Sequence, residues 1–322
     1  MKRANFSRRE AIGLLGAALA CPSLAHSATP ERLEGNAFGT TWRIVGPSDA
    51  GLARLRPALD DLFAGIDAEM SPWRTDSDIS RFNASAQGGA ASEEMLRVTQ
   101  AALGLAGASG GTFDPTVGPL VARWGFGPIL RGGGPDWRGI RIEGGTIVKS
   151  RGELTLDLCG IAKGRALDRA AELARSHGLE TALLDLGGEL SALGRHPSGR
   201  DWQVAVEHPV RSQSAAALLH LPDGMAVATS GLSQQSYSVG ASIWGHIIDP
   251  AAAAPVQGRL RSVTVLAADA MTADGWATAL FAAGDDAGPA LARDRDIAAL
   301  FLFEEEMALR RIETGSIKDV LA

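Results

Sequence analysis

Cysteine is almost missing from this chain. Cys21 and Cys159 are the two present, and Cys21 lies in a segment expected to be removed. One remaining thiol cannot close an intramolecular disulfide, so the fold must stand on its core. Basic excess is missing too: 31 Lys and Arg against 37 Asp and Glu leave a formal charge of -6. That excludes, on global grounds, a surface built to bind nucleic acid. Past the N-terminus there is no second long apolar run, and mean hydropathy is +0.03, which excludes a protein that crosses a membrane many times. Internal repeats are lacking, and low complexity is confined to the alanines at 251 to 254. Neither the P-loop spacing nor G-x-G-x-x-G occurs, so the two commonest nucleotide-phosphate loops are not available.

What is there begins with an export signal. Residues 1–28, "MKRANFSRREAIGLLGAALACPSLAHSA", have a basic start, an apolar stretch from Ala11 to Ala20 and small residues near a cleavage point, and stand outside fold reasoning. Arg8-Arg9 after Ser7 resembles a twin-arginine signal, whose route carries folded proteins and suits one that loads a cofactor first. The expected location is periplasmic; the alternative is an uncleaved inner-membrane anchor, for which the stretch is short. Cys21 is a poor lipid-attachment site after Ala18-Leu19-Ala20.

Residues 29–322 are expected to form one catalytic unit. "RLEGNAFGTTWRIVG" reads as a strand punctuated by Gly39. Leu52, Leu55, Leu59, Leu62, Ile66 and Met70 recur at three- and four-residue steps, an amphipathic helix facing a core. "SPWRTDSDISRFNAS" reads as a polar, turn-rich segment. A second helix covers about Glu93 to Ser109, ended by Gly110-Gly111. Residues 128 to 153 read as irregular with short strand-like pieces. Then come a strand, a glycine-bearing turn, a helix from about Lys163 to His177 capped by Gly178, and a strand ending at Gly187-Gly188. "DWQVAVEHP", "MAVATSG" and "LRSVTVLAAD" read as strands, and "MTADGWATALFAAG" as a helix. Strands and helices mix without strict βαβ alternation, so the class is α+β.

Five stretches carry residues able to do chemistry. In "LDLCGIAKGRALD" a strand enters a turn that opens a helix, where backbone amides bind phosphate and Lys163 adds a cation; a tight turn with a surface lysine is the plainer account. Gly187-Gly188 permits close backbone approach to a ligand, although most Gly-Gly pairs are simply turns. In "MTADGWATALF", Asp274 and Thr278 are four apart on one helix face, an oxygen pair that suits a hard cation such as Mg²⁺; on spacing alone, a helix-start Asp with Thr packed behind it is the plainer account. Phe113, Trp124 and Phe126 in "GGTFDPTVGPLVARWGFG" supply aromatic surface for a planar ring or for a core. His246 in "HIIDP" titrates near neutrality and can act as a general base or simply pack.

Together, in order, these stretches resemble the ApbE-type flavin transferases, which move FMN from FAD onto a Ser or Thr of a target protein. The resemblance runs from about Asn36 to Gly284 through "FGTTW", "MSPWRTDSDISRFN", "GGTFDPTVGPLVARWGFG", "LDLCGIAKGRALDRA", "LDLGGE", "VATSG", "HIIDP" and "ADGWATALFAAG". It implies mixed and antiparallel sheets packed with helices. It implies Mg²⁺ held by Asp274, Thr278 and a backbone carbonyl at Ala162. It implies FAD, as substrate, against Phe38, Trp73, Thr112, Phe113, Asp114, Cys159 and Lys163, with His246 beside the reacting phosphate. The implied partner is a flavoprotein carrying the acceptor hydroxyl, including subunits of membrane-bound electron-transfer complexes. Related readings are FAD hydrolysis to FMN and AMP, and a periplasmic flavin binder without turnover. Three positions depart from the family pattern. Phe38 replaces a common Met, Cys159 a common Gly or Ser, and Ala251-Ala252-Ala253 the usual Arg-Thr-Gly.

Overall fold

The computed structural model describes residues 29–209, 214–240, 242–305 and 308–322. The export signal, with Cys21, lies outside them. An eight-stranded sheet forms the spine, in the order Glu31–Ala37, Thr40–Gly46, Ala182–Leu186, Glu189–Leu193, Ala226–Gly231, Leu260–Ala267, Ala298–Glu304 and Leu309–Thr314. Every neighbouring pair is antiparallel. The class is α+β, as composition and pattern indicated.

Both faces of the sheet are covered, which explains the near-continuous apolar run Ala298–Glu304. Successive side chains of a strand point to opposite faces. Ala299, Phe301 and Phe303 pack with Ala273, Ala277, Leu280 and Phe281 of helix Ala270–Ala282. Ala298, Leu300 and Leu302 pack on the other side with Trp202, Val204, Leu219 and Leu221. Those four belong to a separate antiparallel hairpin, Trp202–Glu207 with Ala215–Leu221. Phe301 and Phe303 are fully buried, each contributing about 1.5–3 kcal/mol relative to exposure.

The helices Arg56–Met70, Glu93–Ala108 and Ala162–Ser176 bury their apolar faces in a third cluster around Trp42, Leu59, Met95 and Leu167. Helix Ala270–Ala282 is the element about which the fold turns. It is apolar on most sides and buries nine of its residues, many of them Ala or Gly, so neighbours approach closely. Asp269 caps its start through Thr272 N–H at 2.7 Å. Asp168, from helix Ala162–Ser176, accepts from Ala270 and Met271 N–H at 2.7 and 3.0 Å and ties the two helices at one end. Among the described residues no helix is long and apolar enough to cross a membrane.

Three local readings change. The single strand over residues 32–46 is a hairpin of two strands, because Phe38 and Gly39 both adopt positive φ, 52° and 72°, as a two-residue I′ turn needs. The polar segment at 71–85 contains helix Asp78–Ala84, capped by Ser77, whose seven residues are too few to show periodicity. The strand-like pieces within 128–153 are Ile140–Glu143 and Thr146–Lys149, which pair with each other, and Thr146–Lys149 also pairs with Gly88–Ala90.

Candidate functional site

One cleft with two lobes opens at the ends of the central strands. The smaller lobe, about 390 Å³, is bounded by Thr112, Phe113, Asp114, Glu189, Ser230, Asp274 and Thr278. The larger, about 940 Å³, is more apolar, with Phe63, Met70, Pro72, Trp73, Phe126 and Pro128, and it also touches Ala162. The lobes meet at a neck shared by Phe38, Asp157, Cys159, Lys163 and His246. Every site residue that the family resemblance assigned therefore lines this one cleft, although they span 240 positions of chain; Trp124 and Gly188 do not line it.

The strand-to-helix turn builds the floor. Cys159-Gly160 follows the buried Leu158, and helix Ala162–Ser176 starts at once. Thr278 Oγ1 donates to the Gly160 carbonyl at 3.3 Å and lies 3.2 Å from Ser230 Oγ. The carbonyl facing Thr278 is thus Gly160's, two residues before Ala162, which opens the helix. Asp274, 4% exposed, accepts the Gly164 N–H at 2.9 Å through Oδ2. Lys163 pairs with Glu189 Oε1. Glu189 is 3% exposed, and its other oxygen, Oε2, has no hydrogen-bond partner among the described residues.

Two of the four acidic residues lining the smaller lobe, Asp274 and Glu189, thus crowd one ammonium, Lys163. Burial pushes the Asp274 carboxyl up, against the pull of Lys163 and the Gly164 N–H. Burial raises Glu189 in the same way, with Lys163 opposing and Asp274 reinforcing. Burial alone would lower Lys163, but Asp274 and Glu189 outweigh it and hold its ammonium above the ordinary value. Two buried carboxyls are thus set against one ammonium, and Asp274 adds to the upward shift of Glu189. Among the described residues no three His, Cys, Asp or Glu side chains gather as a metal cage. The donors offered are instead a carboxylate, two hydroxyls and a carbonyl, with an unpartnered carboxylate oxygen close by. Such an all-oxygen set fits a hard cation that keeps part of its water.

His246 stands across the neck. Its Nδ1 is 3.1 Å from the Gln235 carbonyl. A carbonyl only accepts, so Nδ1 carries the proton and Nε2 is left as the basic nitrogen. Burial lowers its pKa below 6.5, the Lys163 charge adds to this, and the Gln235 hydrogen bond opposes it. The ring is thus neutral near pH 7, as a general base must be.

The sequence profile of the ApbE family matches residues 38–301. The chain belongs to the ApbE family. A protein of Vibrio cholerae named FAD:protein FMN transferase is 34% identical over 311 residues, 90% of this chain and 92% of that one. One of Klebsiella pneumoniae with the same name is 30% identical, covering 94% and 93%. The solved flavin transferase ApbE of Vibrio cholerae superposes with a TM-score of 0.80 at 34% identity, over 90% of this chain and 99% of that one. The apo flavinyl transferase ApbE of Pseudomonas stutzeri gives 0.81 at 29%, over 91% and 96%.

Some assigned side chains have other duties in this ApbE-family chain. The Asp114 carboxylate accepts from Thr116 N–H at 2.8 Å, the Thr116 hydroxyl at 2.5 Å and Trp137 N–H at 3.4 Å; it holds its own loop and ties it to Trp137. Phe113 is 4% exposed and packs in the helical core. Trp124 and Phe126 stack on Trp244 and Tyr237, with centroids 5.0 and 5.2 Å apart, so Trp124 serves a hairpin rather than a ligand. Cys159 is exposed at the turn. Residues missed from sequence are Glu189 and Ser230. Both stand in stretches that carried the resemblance, and a Glu opening a mostly apolar strand straight after Gly187-Gly188 was the available signal.

Proposed function

We propose that this chain transfers the FMN half of FAD to a Ser or Thr hydroxyl of a target flavoprotein and releases AMP. The observation that carries the reading is the neck. Two lobes large enough for ring systems meet at Lys163 and His246, as the two halves of FAD meet at a pyrophosphate. The relatives named FAD:protein FMN transferase point the same way.

In this reading the pyrophosphate lies at the helix start at Ala162, where the helix dipole and the Lys163 ammonium offset its charge. Glu189 holds Lys163 in place. The acceptor hydroxyl gives its proton to His246 Nε2, and its oxygen attacks the FMN-side phosphorus. The bond from that phosphorus to the bridging oxygen breaks, and AMP departs with the bridging oxygen. The phosphoanhydride bond of FAD is broken and a phosphodiester to the target is formed, with no change of oxidation state. Asp274, Thr278 and a carbonyl of the 160–162 turn would hold Mg²⁺, which when bound supplies further charge neutralisation at the phosphates. Residues 1–28 would take the chain to the periplasm, and Arg8-Arg9 supports export after folding.

The test incubates the purified protein with FAD, MgCl₂ and candidate acceptor proteins. Acceptor mass rising by the FMN increment with release of AMP supports transfer. Free FMN and AMP alone would make the chain a FAD pyrophosphatase, and unchanged bound FAD would make it a flavin carrier.

A further inference from the structure

Among the described residues Asp157 is the only carboxylate that lines both lobes of the cleft, and the transfer step leaves it without a task. It stands at the neck, where FAD would bring the negative charge of its pyrophosphate. An anion there works against substrate binding. Such a group contributes to rate only if it favours the transition state more than it opposes the bound substrate.

The place of Asp157 is fixed by its neighbours. Its N–H donates to the Pro115 carbonyl at 2.7 Å. Gly118 lies so close that a Cβ on it would come within 3.2 Å of the Asp157 Cβ. Oδ1 accepts the Cys159 N–H at 3.0 Å. Lys163, the ammonium at the neck, is given to Glu189, so Asp157 is in no ion pair among the described residues. His246 shares the neck. Its ring is held by the Gln235 carbonyl and by Phe126, whose centroid is 6.3 Å away. Burial disfavours a charged ring, the Gln235 carbonyl favours it, the Lys163 ammonium disfavours it and the Asp157 carboxylate favours it. Asp157 is the one anion in that set.

We propose that Asp157 is a positioning residue for the general base, its carboxylate offsetting the positive charge that His246 takes on during transfer. This rests on the transferase reading. The acceptor O–H bond breaks and its proton goes to Nε2. The acceptor oxygen bonds to the FMN-side phosphorus, and the phosphoanhydride bond breaks toward AMP. The ring is then an imidazolium in a buried neck that already holds the Lys163 ammonium, and Asp157 is the counter-charge. The proton passes to water as the products leave. Because the Nδ1 proton is committed to a backbone carbonyl, the carboxylate acts through its field and does not fix the tautomer.

The test uses Asp157→Asn, which keeps the side chain's size and an oxygen for the Cys159 N–H, and Asp157→Glu, which keeps the charge. Titration of the His246 ring by NMR, in the folded chain without FAD or acceptor, should give a lower pKa in the Asn variant and a value near wild type in the Glu variant. For acceptor proteins that the wild type labels with FMN, kcat should fall about tenfold in the Asn variant, the equivalent of one pKa unit. FAD affinity, read by flavin fluorescence quenching, should be unchanged or tighter. In a His246→Ala background the same Asn substitution should change kcat by less than about twofold, since residues acting as a unit are not additive. A His246 titration that the Asn variant leaves unmoved overturns the proposal. An equal loss of rate in the His246→Ala background also overturns it and gives Asp157 a part of its own. Weaker FAD binding with an unmoved titration overturns it and makes Asp157 a binding residue. A wild type that labels no protein removes the transferase reading, while the ring titration, which needs no turnover, still decides whether Asp157 supports the charge of His246.

Discussion

The backbone N–H of Gly164 donates to Asp274 Oδ2 at 2.9 Å, joining two helices whose contact residues are 110 positions apart. A Cβ on Gly164 would lie inside the van der Waals envelope of the Ala270 carbonyl and 2.8 Å from Asp274 Cβ. The glycine is what lets the helix carrying Lys163 sit against the helix carrying Asp274 and Thr278. Polar floor and phosphate-facing turn become one site through that close approach.

Gly164→Ala should therefore destabilise the protein, although alanine favours helix by about 0.5–1 kcal/mol. The clash is with backbone, which cannot rotate away, and overpacking of this kind costs about 1–3 kcal/mol. Urea unfolding should show the net loss, and calorimetric titration with MgCl₂ should show weaker binding. Unchanged values for both would mean the two helices are not held at contact distance.

Asp274→Asn should remove the Mg²⁺ response while keeping the side chain's size. In wild type, MgCl₂ at a hundred times its dissociation constant should stabilise the fold by about 2.7 kcal/mol relative to EDTA. Thermal melts read this without any turnover. Because burial raises the Asp274 carboxyl, protons compete with the cation, and the stabilisation should shrink as pH falls. An undiminished shift in the variant would move the metal elsewhere.

His246→Ala should slow transfer by about 10²–10⁴, the range of a positioned general base. The base works when neutral, and its folded pKa lies below 6.5. The wild-type rate should thus hold through neutral pH and fall only as pH drops through that depressed value. The variant should lose this acid limb. Full-rate transfer by the variant, with the limb intact, would take the role away from His246.

Ala253 adopts φ 54°, the left-handed region, at the position where the family usually has Gly. Its carbonyl accepts from Trp124 Nε1 at 3.3 Å, so the strained turn is tied to the rim. Ala253→Gly should stabilise the protein by about 0.5–1 kcal/mol, the left-handed penalty of an L-residue less the greater flexibility of glycine when unfolded. Chemical denaturation should show a higher midpoint with flavin affinity unchanged. A lower midpoint would mean that other contacts of the Ala253 methyl outweigh the strain.

Periodicity made much of this architecture readable. The helices over 56–70, 93–108, 162–176 and 270–282 follow apolar spacing or glycine stops, and the alternating strand at 202–207 shows its one buried face. Strand Ala298–Glu304 and helix Gly284–Asp294 went unread, the first because burial on both faces erases alternation, the second because Pro289 lies inside it. Hairpin Ser236–Gly245 gave no signal, since its stability comes from Trp124 and Phe126 more than a hundred residues earlier.

By itself, then, the sequence determined the elements with a period, the turns that need glycine, and which chemical groups the chain has to offer. Only the tertiary structure decided how they act. It spent the Asp114 carboxylate on its own loop, set Glu189 beside Lys163, and turned the Gly160 carbonyl rather than a helical one toward Thr278. The physical reason is that hydrogen bonding and electrostatic pairing act over a few ångströms of space. Residues such as Lys163 and Glu189, or Gly164 and Asp274, come within that range only when the sheet and helices have closed around them.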